Sequence, residues 1–129
     1  MPLAHVQQDG MEPYANRALR RVINDVPAFV SFDMNGCVEA YAPAVSTPSA
    51  DEFTPLQTVE TAFLAGQHEQ VRLFEVVALN PFYDRDNQIA RLVTIIITAY
   101  LTGVAGLLHN HCLQLPTPSR YNGGVMDGW

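Results

Sequence analysis

Apolar residues recur three and four apart near the start of the chain. Ala15, Ala18, Leu19, Val22 and Ile23 mark one face of an amphipathic helix over about residues 12–24, beginning near Pro13. Pro27 stops it. The pattern then changes character: Ala28-Phe29-Val30-Ser31-Phe32 is short, β-branched and aromatic, which predicts a strand buried on both faces. Residues 33–53 contain Gly36, Pro43 and Pro48 and show no period, so they predict a long loop, and a compact domain rarely keeps such a loop unless it is functional. Thr54-Pro55-Leu56-Gln57 has the form of a capping box with proline at the first helical position, and a helix should run from there to about Gly66. Residues 71–79 form a second apolar run, interrupted by Glu75 and ended by Asn80-Pro81, which predicts a second strand. The last element, residues 86–110, holds seventeen uncharged residues from Leu92 to Leu108. That is slightly short of the ~20 a membrane span needs, and Thr94, Thr98 and Thr102 add a mildly polar stripe. A buried core helix is the favoured reading, with a membrane-facing or lipid-facing helix as the alternative.

The predicted order is helix, strand, loop, helix, strand, loop, helix. A helix between two hydrophobic strands makes a right-handed βαβ crossover with parallel strands the natural topology. Two parallel strands leave rows of unpaired amides and carbonyls on their outer edges, which other strands must satisfy. The expectation is therefore an α/β chain with a partial three-layer parallel-sheet fold, completed by a second polypeptide or in a homo-oligomer. Residues 1–12 are expected as a tail, 13–110 as the folded half-domain and 111–129 as a Pro/Gly-rich tail.

Composition narrows the partners. The 129 residues are 48% hydrophobic and 16% charged, enough for one domain. The formal net charge is −6, and only Arg17, Arg20 and Arg21 approach a basic cluster, so no nucleic-acid partner is expected. Cys37 and Cys112 show neither metal-ligand spacing nor the density of a secreted disulfide scaffold. With no signal-like segment in residues 1–10, a cytoplasmic location is the expectation.

The ends of the two predicted strands carry a resemblance. Ser31-Phe32-Asp33-Met34-Asn35-Gly36, then Tyr41-Ala42-Pro43-Ala44-Val45-Ser46-Thr47-Pro48 and Phe53-Thr54-Pro55, is similar to the ureohydrolase pattern Ser-Phe-Asp-x-Asp followed by Ala-Pro-Gly and a Thr-Pro or Ala-Pro. Its Val-Ser variant leans toward formimidoylglutamases. Leu73-Phe74-Glu75-Val76-Val77-Ala78-Leu79-Asn80-Pro81, with Tyr83-Asp84 and Ala90-Arg91-Leu92, resembles the family's Val-Glu-x-Asn-Pro strand end and closing helix. Two motifs in the right order make the resemblance specific over about residues 15–109.

What the resemblance implies is the carboxyl-terminal half of an arginase, agmatinase or formimidoylglutamase fold, with two manganese ions bridged by a hydroxide that attacks a guanidinium or formimino carbon. Asp33 stands at the first metal-ligand position of the motif and Asn35 at the second, where a neutral amide replaces a carboxylate. Ala78 stands where arginase-like members carry a substrate-pairing Glu. The family's other ligands, a His and an Asp-x-His-x-Asp set, belong to the preceding half, and nothing in residues 1–16 resembles them. No cofactor is expected for the isolated chain, and manganese only if the family site is completed.

Each of these residues has an alternative role. Asp33 is either a retained metal contact or a loop cap. Glu75 is either a buried acid or a paired strand residue. His109, His111 and Cys112 could bind a metal, but a solvated helix end is favoured. Asp84 and Asp86 suit the start of the last helix, with Arg91 as a possible ion-pair partner. The leading functional expectation is a degenerate ureohydrolase-like domain with a structural or interaction role. The alternatives are the carboxyl-terminal part of a working manganese-dependent formimidoylglutamase, and a subunit of a large assembly.

Overall fold

A computed structural model describes residues 10–23, 26–37, 39–47 and 52–114. Helix α1 spans Met11–Val22, with Glu12 in its first turn and Arg20 and Arg21 in its last, each charge complementing the nearer end of the helix dipole. It begins two residues before Pro13, and proline fits inside the first turn because an amide there has no helical acceptor to lose. Gly10 supplies the left-handed φ of 84° at the cap. The helix closes where the Ile23 amide donates to the Leu19 carbonyl at 2.8 Å. Its expected continuation through residue 24 lies outside the described residues.

Strand β1 is Ala28–Asp33, helix α2 is Pro55–Gly66, strand β2 is Val71–Val77 and helix α3 is Gln88–Gln114. The Thr54 capping box forms as expected: the Gln57 amide donates to the Thr54 hydroxyl at 3.4 Å, and the Thr54 amide to Gln57 Oε1 at 2.9 Å. β1 and β2 pair in parallel, with Phe29 opposite Leu73, Ser31 opposite Glu75 and Asp33 opposite Val77. β2 stops two residues short of the expected Leu79, because Ala78 takes a left-handed φ of 67° and turns the chain out of the ladder. α3 runs four residues past the expected 110, since nothing breaks the helix before Pro116.

One face of this two-stranded sheet meets the helices. Phe32, Phe74 and Val76 pack against a cluster that includes Met34, Ala62, Ile89, Leu92 and Ile96. The opposite face is open. Phe29 is 54% and Leu73 58% exposed, and beside them the Ser31 hydroxyl donates to Glu75 at 2.8 Å, so Glu75 is a paired strand residue. The expected burial of both strand faces is therefore met on one face only: among the described residues the second layer of cover is missing. α3 is corrected in the same way. Ile89, Leu92, Ile96 and Gly103 form one buried stripe, while Ile95, Leu101 and Leu108 are more than half exposed. It is a core helix along one side, with its other sides uncovered, and by length and composition it is the one described helix apolar enough to cross a bilayer. The stripe of Thr94, Thr98 and Thr102 satisfies itself, each hydroxyl donating at 2.8 Å to the carbonyl four residues back.

Candidate functional site at the strand ends

The carboxyl ends of parallel strands are where α/β proteins place their ligand crevices. Here the two strand-end loops are sewn to each other. After β1 the chain makes a single 3-10 turn, Met34–Gly36, anchored by the fully buried Met34 and by Cys37 at 1% exposure. The Phe53 amide then donates to the Gly36 carbonyl at 3.0 Å and closes the base of the long loop. After β2, the left-handed Ala78 swings Leu79 into an antiparallel bridge with Val45, and the Asn80 amide donates to the Ala44 carbonyl at 3.0 Å. Ala42 and Ala44 are completely buried under this crossing, where larger side chains would not fit.

Asp33 and Asn35, the residues expected as metal ligands, both sit on that turn and both hold it together. The Asp33 carboxylate accepts the Asn35 amide at 2.9 Å, the geometry of an Asx turn. The Asn35 side-chain oxygen accepts from the Ser46 hydroxyl at 3.2 Å and from the Thr47 amide at 2.9 Å. An amide oxygen has two lone pairs, and both are used. A two-ion manganese centre needs several anionic or imidazole donors converging on one space. Among the described residues no three His, Cys, Asp or Glu side chains converge in this way. One exposed carboxylate beside an amide engaged with its own loop does not fit that pair of ions.

The start of α3 is the best-secured part of the site. The Asp84 carboxylate accepts the Ile89 amide at 2.8 Å through one oxygen and the Ala90 amide at 3.0 Å through the other. The acid read from the sequence as suited to the helix dipole is thus a two-pronged cap. Arg91 is exposed and forms no ion pair with Asp84 or Asp86 among the described residues. The Gln88 side chain ties the helix start to the first loop by donating to the Tyr41 carbonyl at 3.3 Å. Asp84→Ala should lower stability by about 1–2 kcal/mol, and Asp84→Asn, which keeps one acceptor, by about half as much. Loss of hydrogen-exchange protection confined to the Ile89 and Ala90 amides would locate the effect.

At the far end of α3, His111 Nε2 lies 2.9 Å from Glu69 Oε1, with both side chains more than half exposed. This contact ties the helix end to the turn before β2. His109 and Cys112 are exposed beside it, and the three form no metal-ligand group. Sequence reasoning missed the Asn35 clamp. The signal was present, since the Ser46-Thr47 hydroxyl pair lies in the loop that Asn35 opens, but nothing in the linear pattern says which side chain crosses eleven positions to meet it.

Comparison with known proteins matches this geometry to one fold. The model of the arginase family matches residues 1–102. The crystal structure of Trypanosoma cruzi formiminoglutamase with Mn2+ superimposes with a TM-score of 0.71 at 22% identity, covering 79% of this chain and 34% of that one. Arginase from Bacillus subtilis gives 0.70 at 18% identity, covering 77% and 34%. The mitochondrial agmatinase of Gallus gallus is 40% identical over 42 residues, 33% of this chain and 12% of that protein. The arginase-like α/β fold is therefore present in part: the chain spans about a third of the length of these solved structures.

Proposed function

Because the chain belongs to the arginase family, we propose that it is a ureohydrolase-like half-domain with a structural or interaction role, without hydrolytic activity of its own. The observation that carries this reading is the use made of Asn35. Its side-chain oxygen holds Ser46 and Thr47, so the second motif position contributes to loop architecture and not to metal charge balance. Ala78 supports it: a methyl group cannot pair with a cationic substrate, and its left-handed backbone serves to join the two loops.

The test is metal analysis and turnover of the purified chain after incubation with manganese and desalting. No retained manganese and no hydrolysis of formiminoglutamate or a guanidino compound are expected. Two retained ions per chain together with turnover would overturn the reading.

A second reading is favoured by the open sheet. The outer edges of both strands, unpaired among the described residues, together with exposed Phe29 and Leu73, are surfaces that a complete domain would cover. In this reading the chain supplies the carboxyl-terminal part of a manganese-dependent hydrolase of the formimidoylglutamase type. Sequence carrying the missing His and Asp-x-His-x-Asp ligands supplies the rest. Manganese-dependent hydrolysis that appears only when such a polypeptide is added would select it. The uncovered side of α3 faces the same completing protein, and not a membrane, in this proposal.

A further inference from the structure

We propose that Asn35 is a modification site: the Asn35-Gly36 linkage deamidates spontaneously, replacing a neutral amide with a carboxylate two residues from Asp33. The inference goes beyond the functional reading and stands without it.

The chemistry needs only water. The Gly36 backbone nitrogen attacks Asn35 Cγ and forms a new N–Cγ bond. The Cγ–Nδ2 bond breaks, and Nδ2 leaves as ammonia with the proton that the backbone nitrogen gives up. Water then adds to one of the two carbonyls of the resulting succinimide. Breaking the N–Cγ bond gives aspartate at position 35, and breaking the original peptide bond gives isoaspartate, with the main chain now running through Cγ. In sum, an amide and water become a carboxylic acid and ammonia.

Two features of the turn favour the reaction, and a third sets its rate. Residue 36 is glycine, so no β-carbon next to the attacking nitrogen hinders its approach to Cγ. The Asn35 side-chain oxygen Oδ1 already accepts from Ser46 Oγ at 3.2 Å and from the Thr47 amide at 2.9 Å. These donors polarise Cγ and stabilise the oxyanion of the tetrahedral intermediate, as an oxyanion hole does. The two residues also lie in a single 3-10 turn, which must open about the Asn35 backbone before nitrogen reaches Cγ. Met34 and Cys37 anchor that turn in the core, so the rate of conversion at 35 reports how often it opens.

The product matters because of its position. Aspartate at 35 keeps an acceptor for Ser46 and Thr47, now charged, and places a second carboxylate beside Asp33 at the position where the ureohydrolase motif has one. Isoaspartate carries the main chain away from the turn and breaks both loop bonds.

The test is peptide mapping by mass spectrometry of the full chain during incubation in mildly acidic and mildly alkaline buffers, with isoaspartyl methyltransferase labelling of the same samples. Asn122-Gly123, outside the described residues, is a chemically matched internal reference. Position 35 should gain the mass of one deamidation in the native chain, faster in alkali because the attacking nitrogen must lose its proton. Gly36→Ala, which meets no steric obstacle, should slow conversion at 35 by at least about tenfold and leave position 122 unchanged. Ser46→Ala should slow it several-fold. An unconverted Asn35 in native chain whose Asn122 converts, an unchanged rate in Gly36→Ala, or acceleration in Ser46→Ala would each overturn the proposal.

Discussion

Gly103→Ala is expected to destabilise the fold by about 3 kcal/mol, the upper part of the range for forced overpacking. α2 and α3 cross with their backbones in contact. A Cβ on Gly103 would collide with the Phe63 carbonyl oxygen and lie 3.1 Å from the Gln67 nitrogen, and one on Gly66 would collide with the Tyr100 carbonyl oxygen. Those atoms belong to the backbone of the two helices and of the Gln67 cap, and cannot swing aside as a side chain would. Relief requires α3 to move away by roughly 1 Å, which forfeits a large part of every dispersion contact along the seam. Helix propensity predicts the opposite sign, since alanine is favoured over glycine in a helix interior by about 1 kcal/mol. Gly106 separates the two effects. It lies one turn further along α3, and a Cβ there meets nothing within 4 Å. Gly106→Ala should therefore be neutral or stabilising by up to about 1 kcal/mol. Urea unfolding of both variants tests the pair: a Gly103→Ala midpoint equal to that of Gly106→Ala would show that the helices do not cross at Gly103.

Much of this fold is legible in the sequence because its signals are local. The Thr54 capping box, the start of β1 at Ala28 and the parallel pairing that a βαβ order demands all depend on neighbours in the chain or on a handedness rule. What local reasoning misses has a common physical cause. Phe29 and Leu73 are apolar, which predicts burial, yet both are exposed because the layer that would cover them is not among the described residues. The same holds for Ile95, Leu101 and Leu108 on α3. Apolar character records the surface a residue is suited to meet, not whether this chain supplies it. Gly66 and Gly103 escape notice for a related reason. Each reads as an ordinary helical glycine until the partner backbone is placed against it. The candidate site shows both sides. Asp33 as a loop cap and Asp84 as a helix-start acid follow from residue type and position. The reach from Asn35 to Ser46 and Thr47 depends on how the whole loop over residues 33–53 closes, and short-range propensity does not specify that path.

Phe74→Ala should lower stability by about 2–3 kcal/mol, less than the full 3–5 for a completely enclosed phenylalanine because the ring is half-buried. Its position makes the loss consequential. Among the described residues β2 pairs with β1 along one edge only, so its attachment to the helical layer rests on the inward side chains Phe74 and Val76. The Phe74 ring stacks on Tyr100 of α3 with centroids 4.3 Å apart and planes 11° from parallel, and it meets Phe32 of β1 at 6.0 Å. One residue thus joins both strands to the long helix, and Tyr100 is the residue whose carbonyl Gly66 approaches. A double-mutant cycle with Tyr100→Ala isolates the stack from simple area loss. A coupling of about 1 kcal/mol is expected, within the range for aromatic pairs. Phe74→Leu, which keeps most of the apolar volume and loses the stack, should fall between the wild-type chain and Phe74→Ala. If the two truncations were additive, the rings would be neighbours without mutual stabilisation. The hold of β2 on α3 would then rest on apolar burial alone, and Phe74→Leu would be nearly as stable as the parent.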